Sequence, residues 1–353
     1  MSVMTVQGPI AASTLGITLP HEHLFIDSRS QYTEPLDPDK SRLGREQLSL
    51  ANAGLLRRNP YALRDNLLLN DPNLAITELE AFKNLGGKTI VECTSLGLAR
   101  DALGLKMLAR NSGVKIIAGC GYYTRDTHTR ELADRSIEEL AQRMLTDLTQ
   151  GMENTTIRAG VIGEIGTSWP IHPDELKCLR AAASVQRQTR VALYVHCAPW
   201  GKGGVQAAQL LLKEGVPAIK IVICHSDVDL DHAYIQQLLT LGVYVEFDNF
   251  GKEYYIDLPD RSFAGGIFAR DPDRVRVLKQ LILAGYIRQL LITNDICLKS
   301  LLHAYGGWGY DHILAHIVPM LREVHISDES INALLIGNPA RLLDVPTVSA
   351  AAI

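Results

Sequence analysis

Leu15-Gly16-Ile17-Thr18-Leu19-Pro20-His21-Glu22-His23 is an apolar run that ends in an acid between two imidazoles. Side chains alternate along a strand, so residues two apart point the same way. His21 and His23 therefore turn to one side and Glu22 to the other. The same layout recurs along the chain. After the run at 16–19 come runs at 89–91, 115–118, 159–162, 191–195, 220–223, 243–247 and 289–292. Segments with helical periodicity lie between them, at 75–85, 99–111, 136–150, 174–188, 205–214, 231–241 and 274–285. Eight strands alternating with helices predict a parallel sheet. Eight such units in 353 residues fit a closed (β/α)8 TIM barrel better than an open doubly wound sheet. The expectation is one domain over residues 1–353. Residues 28–74 break the rhythm with a polar stretch carrying Pro35, Pro38, Pro60 and Pro72. A loop this long usually has a job. It reads as a lid-like insertion after strand 1, with a helix near 45–57.

Composition narrows the function classes. With 46% hydrophobic and 21% charged residues the chain can build a large core. A formal charge of -4, from 35 basic and 39 acidic residues, argues against a nucleic-acid partner. No apolar run approaches the ~18 residues of a membrane helix. The opening MSVMTVQGPI lacks the layout of a secretory signal. Six Cys, at 93, 120, 178, 197, 224 and 297, form no CxxC pair. They are expected to be free thiols in a reducing, cytoplasmic setting.

The strand ends carry the chemistry. Strand 1 ends at His21-Glu22-His23, strand 2 at Glu92 and strand 3 at Gly121-Tyr122-Tyr123. Strand 4 ends at Gly163-Glu164, strand 5 at His196, strand 6 at His225, strand 7 at Asp248 and strand 8 at Asn294-Asp295. Barrel enzymes build their sites from the C-terminal ends of several strands. Four imidazoles and two carboxylates, His21, His23, His196, His225, Glu164 and Asp295, converge there. Imidazole with carboxylate is a ligand mix for zinc or a similar divalent metal. The remaining seven His fall on loops or helices. Cys197 and Cys224 adjoin ligand positions and are expected to point out to the helix layer.

The motifs Ala159-Gly160-Val161-Ile162-Gly163-Glu164-Ile165-Gly166-Thr167-Ser168, Asn294-Asp295-Ile296 and Tyr305-Gly306-Gly307-Trp308-Gly309-Tyr310-Asp311 join the first stretch in a pattern spanning nearly the whole chain. It resembles the phosphotriesterase-related branch of the amidohydrolase superfamily. The resemblance implies two divalent metal ions per chain, zinc by preference. His21, His23 and Asp295 would hold the more buried ion, His196 and His225 the more exposed one. A strand-4 residue would bridge them together with a hydroxide. Glu164 stands where the best-known phosphotriesterases carry a carbamylated lysine, and Asn294 departs from the His or Met of many relatives. The implied reaction is hydrolysis, the hydroxide attacking a carbonyl while Asp295 accepts and passes on the proton.

Substrate choice is expected to lie in the loops. Tyr122, Tyr123 and Lys252 are the candidate contacts, with Trp200 and Tyr254 as further lid candidates. A cation at Lys252 suits a substrate carboxylate, sulfonate or phosphate. The long first loop resembles that of animal-type relatives, which implies a small N-acyl amide. The expected substrate is therefore a small anionic amide, lactone or ester. Alternatives are an organophosphate ester, a mononuclear zinc deaminase, a glycosidase with Glu92 and Glu164 as its acids, and a binding or scaffold protein on a retired barrel. Relatives are often homodimers; neither nucleic acid nor a membrane is expected as a partner.

Overall fold

In a computed structural model describing residues 2–258, 261 and 265–345, eight parallel strands pair in chain order. They are β1 (Ile17–Glu22), β2 (Gly87–Glu92), β3 (Lys115–Cys120), β4 (Val161–Thr167), β5 (Leu193–Cys197), β6 (Ile221–Ile223), β7 (Tyr244–Phe247) and β8 (Leu290–Ile292). Helices α1 (Pro72–Asn84), α2 (Ala102–Ser112), α3 (Ile137–Thr149), α4 (Pro173–Thr189), α5 (Gly204–Lys213), α6 (His232–Thr240) and α7 (Asp271–Leu283) follow the first seven strands in turn. This is the expected barrel. Helix starts follow local chemistry. Asp71 accepts the amides of Asn73 and Leu74 ahead of Pro72, and Ser136 with Glu139 forms a capping box at α3.

Alternation sorts the strand side chains into two cores. One lies outside the strands, against the helices, and includes Ile90, Ile162, Leu193, Val195 and Ile223. The other fills the barrel with Val91, Ile117, Val161, Tyr194, Val222, Tyr244 and Leu291. Val3, Leu15, Leu342 and Leu343 belong to this inner core. The N-terminal hairpin and the last helix, Asn338–Leu343, thus stopper the end opposite the ligand positions.

Side chains close the seam between β8 and β1. The Thr293 hydroxyl donates to Glu22 Oε1 at 2.6 Å and lies 2.9 Å from the His21 carbonyl oxygen. The Glu22 carboxylate also accepts the Asn294 amide N–H at 2.9 Å, Asn294 Nδ2 at 3.0 Å and the Ile296 N–H at 2.8 Å. Glu22 does face away from its two His neighbours, and it clamps the first strand to the last.

The insertion leaves β1 through a two-residue pairing of Ile26–Asp27 with Leu68–Leu69. Its helices are Pro38–Leu43 and Ala53–Leu56, not one helix over 45–57. Asp37 and Pro38 set the first start, with the Asp37 carboxylate capping Asp39 and Lys40. Leu48, Leu56 and Leu63 give the insertion a small core of its own. It is fastened over the rim. The Tyr255 N–H donates to the Arg57 carbonyl at 3.1 Å, Arg58 pairs with Asp257, and Lys299 reaches Asp65 Oδ1 at 2.6 Å.

Candidate metal centre

At the C-terminal ends of the strands the six expected side chains come together. His21, His23 and Asp295 make one cluster, and Glu164, His196 and His225 make another. Glu164 reaches across both. Its Oε2 is 3.6 Å from His21 Nε2, 3.5 Å from His196 Nδ1 and 3.5 Å from His225 Nε2, while its Oε1 is 3.5 Å from His23 Nε2. Asp295 Oδ1 lies 3.0 Å from His23 Nε2 and 3.7 Å from His21 Nε2. All six side chains are buried.

Two local irregularities aim these groups. On β4, Ile162 faces Leu193 of β5 but Ile165 faces Val195, so β4 carries one extra residue. The bulge falls on Gly163-Glu164 and turns Glu164 into the barrel. Glu164 was expected after a strand ending at 162; it lies inside a strand that runs on to Thr167. Past the end of β6, Cys224 continues the alternation of Val222 and Ile223 into the inner core, while Cys197 packs outside with the helices. His225 breaks the alternation with φ 55°. The outward expectation for Cys224 is corrected, because it assumed that the alternation runs on through His225.

Residues behind the imidazoles fix which ring nitrogen faces the centre. His21 Nδ1 meets Glu246 Oε2 at 2.9 Å, His23 Nδ1 meets Thr94 Oγ1 at 2.8 Å, and His225 Nδ1 lies 3.1 Å from Asp248 Oδ2. Thr94 in turn donates to Glu92 Oε1. Glu92 thus stands behind His23 instead of pairing with Glu164 across a sugar, which removes the glycosidase reading. Sequence reading missed Glu246 and Thr94. The available signal was Tyr244, Glu246 and Asp248 at alternate positions of an otherwise apolar strand.

The donor set fits a cationic group. His21 Nε2 and Glu164 Oε2 are buried without a hydrogen-bond partner, although both point at the centre. Buried polar atoms are normally satisfied, and orphans of this kind mark a missing ion or water. Electrostatics agree. Burial alone would raise the Glu164 carboxyl, yet His21, His196 and His225 hold it well below the ordinary range. Burial likewise opposes the charge of Asp295, and the Lys252 ammonium with His23 and His21 outweighs it. Burial pushes the Glu246 carboxyl up to about 7 against the pull of His21.

A cavity of about 50 Å³ opens onto both clusters. Ser28, Gln31 and Tyr61 reach it from the insertion, and Tyr123, Lys252, Tyr254 and Phe268 from the rim loops. Lys252 is buried against Asp295, so it is no surface lysine. Tyr123 places its hydroxyl 3.0 Å from His196 Nδ1. Tyr122 does not reach this cavity; it lines a separate one with Leu96, His128 and Arg143. Neighbouring strand residues face opposite ways, and only one of the two tyrosines can turn inward. Trp200 acts indirectly, packing edge-on against Phe268 at 5.1 Å between ring centroids.

Comparison with known proteins follows the same lines. The Phosphotriesterase family profile matches residues 1–343. An N-acetyltaurine hydrolase of Danio rerio is 36% identical over 350 residues, covering 97% of each chain. A resiniferatoxin-binding protein from Rhodobacter sphaeroides has a crystal structure that superposes with a TM-score of 0.93 at 32% identity, covering 97% of this chain and 95% of that one. A mutant organophosphorus hydrolase from Deinococcus radiodurans gives a TM-score of 0.76 at 30% identity, covering 98% of both chains.

Proposed function

The chain belongs to the phosphotriesterase family and is a hydrolase, and on that premise we propose that it cleaves a small N-acyl amide whose far end is anionic. The observation that carries this reading is the cavity. The two ligand clusters form its floor, and Lys252 is the one Lys or Arg among the described residues lining it. The cavity thus sets an anion-binding cation beside the groups that would carry out the hydrolysis. The zebrafish relative's substrate, an acetyl amide of an amino sulfonate, has this shape and charge.

His21, His23 and Asp295 would hold one divalent ion and His196 with His225 a second, with Glu164 shared between them; zinc suits the donor set. Such ions lower the pKa of water and polarise a carbonyl oxygen. The chain's own groups do the rest. Lys252 Nζ binds the substrate's anionic end, leaving Asp295 for the reaction. The Tyr123 hydroxyl, held beside His196, orients the acyl carbonyl. Asp295 takes a proton from the attacking water and returns it to the departing nitrogen. A C–O bond forms, the C–N bond breaks, the new acid's remaining proton passes to the amine, and a carboxylate and an ammonium leave. The insertion keeps bulk water out through Tyr61 and Gln31. Residence in the cytoplasm is part of this proposal, supported by six free thiols.

The test is a hydrolysis screen of zinc-loaded protein against N-acetyltaurine, N-acetyl amino acids, an N-acetyl alkylamine without charge, a lactone and a dialkyl aryl phosphate. The anionic amides should exceed the uncharged amide by ~10-fold or more in kcat/KM, as expected for a charge-assisted contact. A preference for the phosphate or the lactone would overturn the substrate assignment. Metal analysis should find two ions per chain; a single ion would overturn the binuclear arrangement.

A further inference from the structure

Directly beneath the metal-ligand cluster the barrel holds a second polar layer that the reaction does not use. Glu246 enters it from β7, between Tyr244 and Asp248 on the inward face, and is fully buried. Its neighbours in the inner core are Cys93, Tyr194 and Cys224. Burying a carboxylate among such groups is costly unless a specific partner is present. The partner is His21. Glu246 Oε2 lies 2.9 Å from His21 Nδ1, whereas Asp248 Oδ2 is 3.7 Å away and already accepts the His225 backbone N–H at 2.8 Å. The other oxygen, Glu246 Oε1, has no hydrogen-bond partner, so His21 is what this carboxylate is placed for.

We propose that Glu246 is a positioning residue that accepts the Nδ1–H of His21 and so fixes the ring with its bare Nε2 aimed at the inner ion. The inference rests on the metal-centre reading above and adds an asymmetry to it. His23 is backed by a neutral hydroxyl and His21 by a carboxylate, so the inner ion's affinity depends on Glu246 through His21 alone. A carboxylate behind a ligating imidazole makes the ring a stronger donor and holds its orientation.

The experiment compares wild type with Glu246→Gln and Glu246→Asp, all full-length. Zinc binding is measured by titration against a chromophoric chelator, and cobalt-loaded samples are followed by visible absorption. Gln removes the charge at constant size; Asp keeps the charge but falls short of Nδ1. One of the two ions should weaken ~10–100-fold in both variants, with the other within ~3-fold of wild type. The cobalt bands of one site should change, and the Tm of metal-free Glu246→Gln should stay at the wild-type value. Unchanged affinity for both ions would overturn the proposal. So would loss of both ions together with a fall in metal-free Tm, which marks a structural role. A third ion in wild type that vanishes in Glu246→Gln would also overturn it, because His21, Cys224, Glu246 and Asp248 would then be binding a cation themselves. Wild type holding no ions would sink the metal centre and this inference together; two ions bound equally by all three proteins would sink only the inference.

Discussion

The Glu164 carboxyl is held well below the ordinary range although burial opposes its charge, because His21, His196 and His225 face it. That arrangement lets its two oxygens face imidazoles of both clusters. Glu164→Gln should lower kcat/KM by ~10²-fold or more and weaken ion binding, since a ligand charge is lost at constant volume. Near-wild-type turnover of the identified substrate would refute the shared role. Lys252 is a different kind of residue. It has left the surface to sit against Asp295, where the proposal has it meet a substrate anion. Lys252→Met should raise KM for an anionic amide by ~10–100-fold, the value of a charge-assisted hydrogen bond, and leave KM for the uncharged analogue within ~3-fold. A fall in kcat at constant KM would mean that Lys252 serves Asp295 and not the substrate.

Elements decide whether such residues face the centre at all. The bulge in β4 depends on Gly163, whose φ of +115° disfavours a side chain and whose added Cβ would lie 2.5 Å from the Tyr194 carbonyl oxygen. Gly163→Ala should therefore destabilise the protein by ~2 kcal/mol or more, read by denaturant unfolding, and should cut ion binding because Glu164 loses its aim. Wild-type stability and ion binding would show that the strand tolerates another register. The Ala159–Ser168 motif was legible as a strand bearing an acid, but periodicity alone points Glu164 the wrong way. Only pairing with β5 reveals the extra residue. The same limit explains Cys224. Cys224 follows the alternation of Val222 and Ile223 into the barrel, and it is His225 that breaks it with a positive φ, which the residue type does not announce.

The whole molecule places the candidate metal ligands from five strands at one end of a barrel that is stoppered at the other. Stripping the metal with a chelator should abolish hydrolysis and lower Tm by a few degrees with little loss of helical circular dichroism, and zinc should restore both. Binding at ~100 times Kd contributes about 2.7 kcal/mol, which is a small shift for a chain this long. Activity and Tm indifferent to the chelator would remove the metal centre. The insertion acts at this scale too, reaching Asp257 from Arg58 across 199 positions of sequence to roof the cavity. What the sequence determined by itself was the barrel and the six converging side chains. Strand and helix periods are local, and eightfold repetition puts every strand end at one rim. What only the tertiary structure decided was who stands behind those side chains and which neighbour faces in. Glu246 meets His21 across 225 positions, and Tyr123, not Tyr122, meets His196 across 73. Such contacts arise from closure of the sheet, and no short window of residues contains both partners.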